Sequence, residues 1–373
     1  MRANLCLLIS AALIIGLAGC ASLPANAGAE DAAFDSCPSA ARQLSELDLA
    51  DDIRATTGGS TACLPTHAIE PVADTTAPDL PITVTDAEGR EVQVTDVSRI
   101  LAIDISGTIA STVFALGMGD NVVGRDSSTA FVGTEELPVV TKSGHSLNPE
   151  AILELAPTVI LTDSSIGPKE VRQQLRDAGI PIVVISDDRR LNSTDQLIGE
   201  VSSALGIPSR GEELIVQMDA DLNAALDEIA RVAPTEKSDR ARMLFLYVRG
   251  SANVYYIFGK DSGADSLIDA VGGVDVAAEI GWEGMKPMTA EALVAAQPDV
   301  LVMMTDGLES VGGIDGLIER IPAVAETPAG INRRVIDMAD TEILSFGPRS
   351  PEVLRAIARA LYAPEAGSSE TTE

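Results

Sequence analysis

Two stretches of this chain spell the same element, and that repetition limits its fold more than any other feature. Residues 148–161 run Asn-Pro-Glu-Ala-Ile-Leu-Glu-Leu-Ala-Pro-Thr-Val-Ile-Leu, and residues 289–302 run Thr-Ala-Glu-Ala-Leu-Val-Ala-Ala-Gln-Pro-Asp-Val-Leu-Val. Each begins with a residue suited to a helix N-cap and continues at helical spacing. A proline then stops the helix, and an apolar run follows that suits a buried strand. An element that recurs in both halves implies two lobes of like construction.

The surrounding sequence agrees. A hairpin is predicted over 82–94, where alternating residues flank an acidic-Gly turn. A strand over 99–103, a helix over 108–117, a strand over 158–162, a helix over 169–178 and a strand over 181–185 follow. Such alternation implies a parallel sheet covered by helices. From residue 195 to about 233 the chain is helical, with a break at 206–208. Leu214, Ile215, Met218, Leu222, Ala225, Ile229 and Val232 then mark one long helix. At 1.5 Å per residue it spans roughly 36 Å, enough to cross from one lobe to another. A strand over 241–247 opens the second half. The expected fold is α/β, with two Rossmann-like lobes joined by one long helix: 81–207, the helix 208–233, and 234–363. About 350 residues beyond the leader are too many for one compact core, in keeping with two lobes.

The N-terminus sets the compartment. Arg2 precedes the apolar run Leu5 to Gly19, which ends in Leu17-Ala18-Gly19-Cys20. The run is short for a membrane span, and small residues precede a cleavage point. The order resembles the lipobox of bacterial lipoproteins, which implies that 1–19 is a signal peptide and that Cys20 is lipidated at the outer face of the cell membrane. Cys37 and Cys63 then remain, and in an exported chain they read as one disulfide, with two free thiols as the alternative. Residues 20–80 lack sustained periodicity and are expected as a tether with a disulfide-closed appendage outside either lobe; 364–373 is expected as a disordered tail. A formal net charge of −30 argues against nucleic acid and anionic lipid headgroups as partners. There is no Walker loop, no Gly-x-Ser-x-Gly and no Cys/His cluster, so an enzyme is not expected.

The echoed element, the long helix and the lobe order together resemble the binding proteins of iron-siderophore, cobalamin and haem ABC importers, over residues 81–363. The resemblance implies a monomeric, rather rigid two-lobed clamp with its ligand cleft between the lobes. It also implies that a glutamate near the start of each echoed helix engages arginines of the permease. Glu150 and Glu291 hold those places. A carboxylate there also suits the helix dipole, which is the plainer reading of both.

The chain has two histidines. His67 lies in the N-terminal segment, whereas His145 lies in the loop entering the first echoed helix. Loops at strand ends of an α/β lobe face the crevice where ligands bind. Tyr247-Val248-Arg249 ends a strand, so Tyr247 and Arg249 project from one face. A guanidinium and a ferric ion both favour the phenolate. The plain alternative is a core tyrosine with Arg249 on a surface carboxylate. A histidine before the first-lobe helix and a Tyr-x-Arg in the second lobe resemble the haem-binding lipoproteins of Gram-positive haemin importers. That likeness implies haem held between His145 and Tyr247 as axial ligands, with Arg249 hydrogen-bonded to the tyrosine oxygen. Tyr255 and Tyr256 point to opposite faces, one of them toward the cleft. Met118, Trp282, Met285 and Met288 are candidates for packing on the porphyrin, and Arg125, Lys142 and Lys286 for its carboxylates. The same clamp suits a ferric siderophore or a corrinoid, and a surface lipoprotein relaying haem without a permease is a further alternative.

Overall fold

The computed structural model describes residues 42–142 and 144–364. Strand β1 (Gly59–Ala62) comes first, followed by the hairpin of β2 (Ile82–Thr85) and β3 (Glu91–Val94). The first lobe then alternates as expected: β4 (Ile100–Ile103), α1 (Thr108–Ala115) and β5 (Val122–Gly124), followed by the short hairpin of β6 (Thr141–Lys142) and β7 (Ser146–Leu147). After these come α2 (Pro149–Glu154), β8 (Val159–Thr162), α3 (Lys169–Asp177), β9 (Ile182–Val184) and α4 (Thr194–Ala204). Four parallel strands pair in the order β5-β4-β8-β9. Ile100–Ile103 and Val159–Thr162 are buried at every position, because helices cover both faces of a parallel sheet.

Helix α5 (Pro208–Ala230) crosses between the lobes. It starts at Pro208, where the missing N–H costs nothing. Leu214 and Met218 pack into the first-lobe core and Ile229 into the second, while Leu222 touches both. One helix is thus long enough to be part of two cores.

The second lobe contains β10 (Arg242–Arg249), β11 (Val254–Phe258), α6 (Ala264–Ala270), β12 (Val274–Asp275), α7 (Val276–Glu279), β13 (Met285–Pro287) and α8 (Ala290–Ala296). It continues with β14 (Val300–Met304), α9 (Thr305–Glu309), α10 (Gly313–Arg320), α11 (Pro328–Ile331), β15 (Val335–Met338) and α12 (Ser350–Tyr362). Its sheet has the order β1-β15-β14-β10-β11-β13, with β12 beside β10. Strands β1, β15, β14 and β10 run parallel, whereas β11 and β13 pair antiparallel. The echo holds in backbone detail. Helices α2 and α8 are each followed by a left-handed residue directly before a proline, Ala156 (φ 45°) and Gln297 (φ 44°).

Residues 42–80 depart from the expected appendage. Leu44 and Leu64 are buried in the second-lobe core, and β1 pairs with β15 to form one edge of that sheet. His67, expected outside the lobes, is buried with its Nδ1 2.7 Å from Glu342, and its carbonyl accepts the N–H of Val132 from the first lobe at 3.1 Å. Further on, Val72 enters the first-lobe core and donates to Ala115 at 2.8 Å. Arg210 of α5 holds the carbonyl of Thr76. The segment is therefore a second crossing between the lobes. Cys63 is disulfide-bonded; Cys20, Cys37, the 1–19 leader and residues 365–373 lie outside the described residues.

Candidate functional site

Strand β10 alternates between the two faces of its sheet. Leu244, Leu246 and Val248 enter one core, while Met243 and Phe245 enter the other, with Tyr247 packed against it. Tyr247 stacks on Phe258 (centroids 5.9 Å apart) and meets Tyr256 edge-on at 6.4 Å. Tyr256 pairs with Tyr247 in the β10–β11 register, so it is the member of the Tyr255–Tyr256 pair on this face. Tyr255 packs instead on the opposite face, together with Trp282 and Met288. Those three therefore line a different side of the sheet from Tyr247. Met285, on edge strand β13, is exposed. Met118, a candidate for ligand packing, is buried in the first-lobe core.

Arg249 ends β10 with its Cζ 4.6 Å from the Tyr247 ring centroid. Its donors go to Asp340 Oδ2 (2.5 Å) and the Val248 carbonyl (3.0 Å), with Met304 Sδ at 3.8 Å. The hydrogen bond expected to the Tyr247 oxygen is replaced here by contact with the ring face, and the carboxylate partner of the plainer reading is present as well. Gly307, in the first turn of α9, makes room for this arrangement. A Cβ there comes within 2.8 Å of the Val248 carbonyl and 3.3 Å of Arg249 Nη1.

His145 sits in the turn between β6 and β7, half-buried. Ser127 Oγ donates to the adjoining Gly144 carbonyl at 3.1 Å, and the Ser127 N–H binds Thr141 Oγ1 at 3.0 Å, so the turn is tied to the loop after β5. Burial lowers the His145 pKa below its usual 6.5; the Arg249 charge lowers it further, and Asp104 opposes both. The imidazole is thus neutral near pH 7, the form that ligates metals. Nδ1 is buried without a hydrogen-bond partner among the described residues. One imidazole feels a charge from each lobe.

A group of carboxylates at the first-lobe strand ends escaped the sequence analysis. Asp104, Asp126 and Asp163 directly or closely follow β4, β5 and β8. Asp104 is fully buried and accepts from the N–H groups of Ser106, Thr108 and Ile109. Asp126 accepts from Asp104, Ser128 and Thr129 N–H groups. Burial and the neighbouring Asp104 charge push Asp126 up to about 7 and Asp163 to about 6, although Arg189, 2.6 Å from Asp163, opposes the latter shift. The signal was an aspartate shortly after each apolar strand.

Of the cationic candidates, Arg125 binds the Thr129 carbonyl at 3.0 Å, and Lys286 lies 6.0 Å from the Trp282 ring centroid. Lys142 is exposed on β6. Glu150 and Glu291 are exposed in the first turns of α2 and α8. Three residues on, each helix exposes an apolar side chain, Leu153 and Val294.

Comparison with known proteins gives concordant results. A family model described as periplasmic binding protein matches residues 103–341. A crystal structure of the heme binding protein HmuT is 42% identical, covering 83% of this chain and 99% of that one, with a TM-score of 0.79. HmuT is also solved with an arginine, a histidine or a tyrosine replaced by alanine. The periplasmic heme-binding protein RhuT from Roseiflexus sp. RS-1 is 40% identical, covering 72% of this chain and all of that one, with a TM-score of 0.65. The uncharacterized ABC transporter substrate-binding lipoprotein YvrC of Bacillus subtilis (strain 168) is 27% identical over 287 residues, 76% of this chain and 86% of that protein. On the family match and the extent of these likenesses, the chain belongs to the periplasmic binding protein family.

Proposed function

We infer that this protein is the substrate-binding component of an ABC importer, that it captures haem, and that Tyr247 and His145 hold the iron from opposite lobes. The observation that carries the reading is the electrostatic setting of His145, which responds both to Asp104 of its own lobe and to Arg249 beside Tyr247. An imidazole kept neutral and a phenol beside a guanidinium are the two donor types that ferric haem accepts as axial ligands. The Arg249 guanidinium lies over the Tyr247 ring, its Cζ 4.6 Å from the centroid. Tyr256 and Phe258 give Tyr247 a rigid aromatic backing. Two of the replaced residues in HmuT, a tyrosine and an arginine, stand two positions apart, as Tyr247 and Arg249 do.

Delivery follows from the exposed carboxylates. Glu150 and Glu291 present matching charges on the two lobes, suited to bidentate binding by permease arginines. Acylated Cys20 anchors the protein at the extracytoplasmic face of the membrane, and Cys37 closes a disulfide with Cys63. The test is an absorbance titration with haemin of wild type, Tyr247→Ala and His145→Ala. The expected result is a saturable Soret band at one haem per chain, altered by both substitutions. A spectrum that no substitution alters ends the axial assignment. Absence of any saturable band ends the haem reading and leaves a siderophore or a corrinoid as cargo.

A further inference from the structure

We propose that Asp340 is a positioning residue for the haem site, fixing Arg249 against Tyr247. The proposal rests on the haem reading above and deepens it. Strands β10, β14 and β15 are parallel neighbours, and three polar groups follow one another across their C-terminal ends. Arg249 closes β10, Asp306 lies in α9 directly after β14, and Asp340 follows β15. Asp340 Oδ2 takes Arg249 Nη2 at 2.5 Å, while its Oδ1 accepts the backbone N–H of Asp306 at 3.0 Å. The carboxylate therefore has one oxygen tied to the scaffold and the other to the guanidinium. Its side chain is 17% exposed, against 32% for Arg249, so the carboxylate is the more buried partner of the pair.

A long arginine side chain at a strand end has many rotamers, and most of them carry its charge away from Tyr247. Its other contacts are a carbonyl of its own backbone neighbour and a thioether, which are weak anchors. Among the described residues, only Asp340 supplies a charge-assisted bond. That bond keeps Cζ 4.6 Å from the ring centroid, close enough for the cation to act on the phenol. The role parallels that of the outer partners which orient metal ligands elsewhere. Asp340 touches neither iron nor porphyrin in this scheme; it acts through Arg249.

Four proteins test it: wild type, Arg249→Ala, Asp340→Ala and the double variant. In the haem-loaded proteins the readouts are the phenolate-to-iron charge-transfer band and the rate of haem loss to an apomyoglobin acceptor. Asp340→Ala is expected to move the band in the same direction as Arg249→Ala and to speed haem loss by about 10-fold. The double variant should be no worse than Arg249→Ala, because the two side chains act in series. Asp340→Asn keeps an acceptor for the guanidinium and should recover most of the wild-type band. In the haem-free protein, the Arg249 Nε–H signal in ¹⁵N spectra should show a rigid side chain in wild type and a mobile one in Asp340→Ala. A band and loss rate unchanged in Asp340→Ala, or effects that add in the double variant, overturn the proposal while leaving haem capture standing. A wild type with no saturable haem spectrum overturns both.

Discussion

Aspartates follow strands in both lobes, yet the candidate iron ligands are placed differently on the two. In the first lobe, Asp104, Asp126 and Asp163 end the strands, and their oxygens are occupied by backbone N–H groups and Arg189. The candidate iron ligand of that lobe, His145, stands apart on a two-residue-stranded hairpin tied down by Ser127. In the second lobe the ligand candidate is part of the sheet itself: Tyr247 lies within β10, backed by Phe258 and Tyr256. One lobe uses its strand ends to build a loop that carries the candidate ligand, whereas the other carries its candidate within the sheet. A side chain on a sheet is the more firmly placed of the two, and this asymmetry can be measured.

Tyr247→Ala should have the larger effect, weakening haem binding by about 100-fold, or roughly 2.7 kcal/mol, in equilibrium titrations. The next effect lies outside the cleft, where the lobes should behave alike. Glu150→Ala and Glu291→Ala should each weaken permease binding by about 30-fold, roughly 2 kcal/mol, without altering haem affinity; a large difference between them denies the echoed helices equivalent roles. His145→Ala should cost about 10-fold in affinity and leave a five-coordinate spectrum, so a loss exceeding that of Tyr247→Ala reverses the comparison.

The smallest effect concerns the carboxylates and their sign with pH. Asp126 and Asp163 are raised to about 7 and about 6 from 3.8, so they favour the folded state when protonated. Their contribution is full below about 4 and is lost as pH rises through 6 to 7. Thermal melts of the haem-free protein should show this contribution as a gain of about 2–4 °C between pH 7 and pH 5, the size roughly 1 kcal/mol produces. Asp126→Asn should flatten that change. His145 has the opposite sign: its lowered pKa makes it a loss of stability as pH falls below 6.5, and His145→Ala removes that term.

Much of this was legible beforehand, for identifiable reasons. The echoed helices, the alternation of strand and helix and the seam of α5 are local patterns, and each formed close to its expected bounds. Tyr247 and Arg249 share a face because strand alternation requires it. Deciding between Tyr255 and Tyr256 required the register with β10, which no local pattern encodes. Strand β1 was missed because Gly-Ser-Thr-Ala lacks an apolar rhythm and its partner, β15, lies at the far end of the chain. Asp340 was missed for the same reason: its meaning comes from a strand end brought beside β10 only by folding.

The N-terminal segment and α5 both pass from one lobe to the other. Two bodies joined through one tether can swing and twist in any direction. Joined through two that also bond to each other, as Leu44 does to Glu228 and Thr76 to Arg210, they lose much of that freedom. Freedom that a singly tethered clamp surrenders each time it closes is, in this protein, surrendered once, during folding. A ligand bound between such lobes would spend less of its contact energy on ordering them.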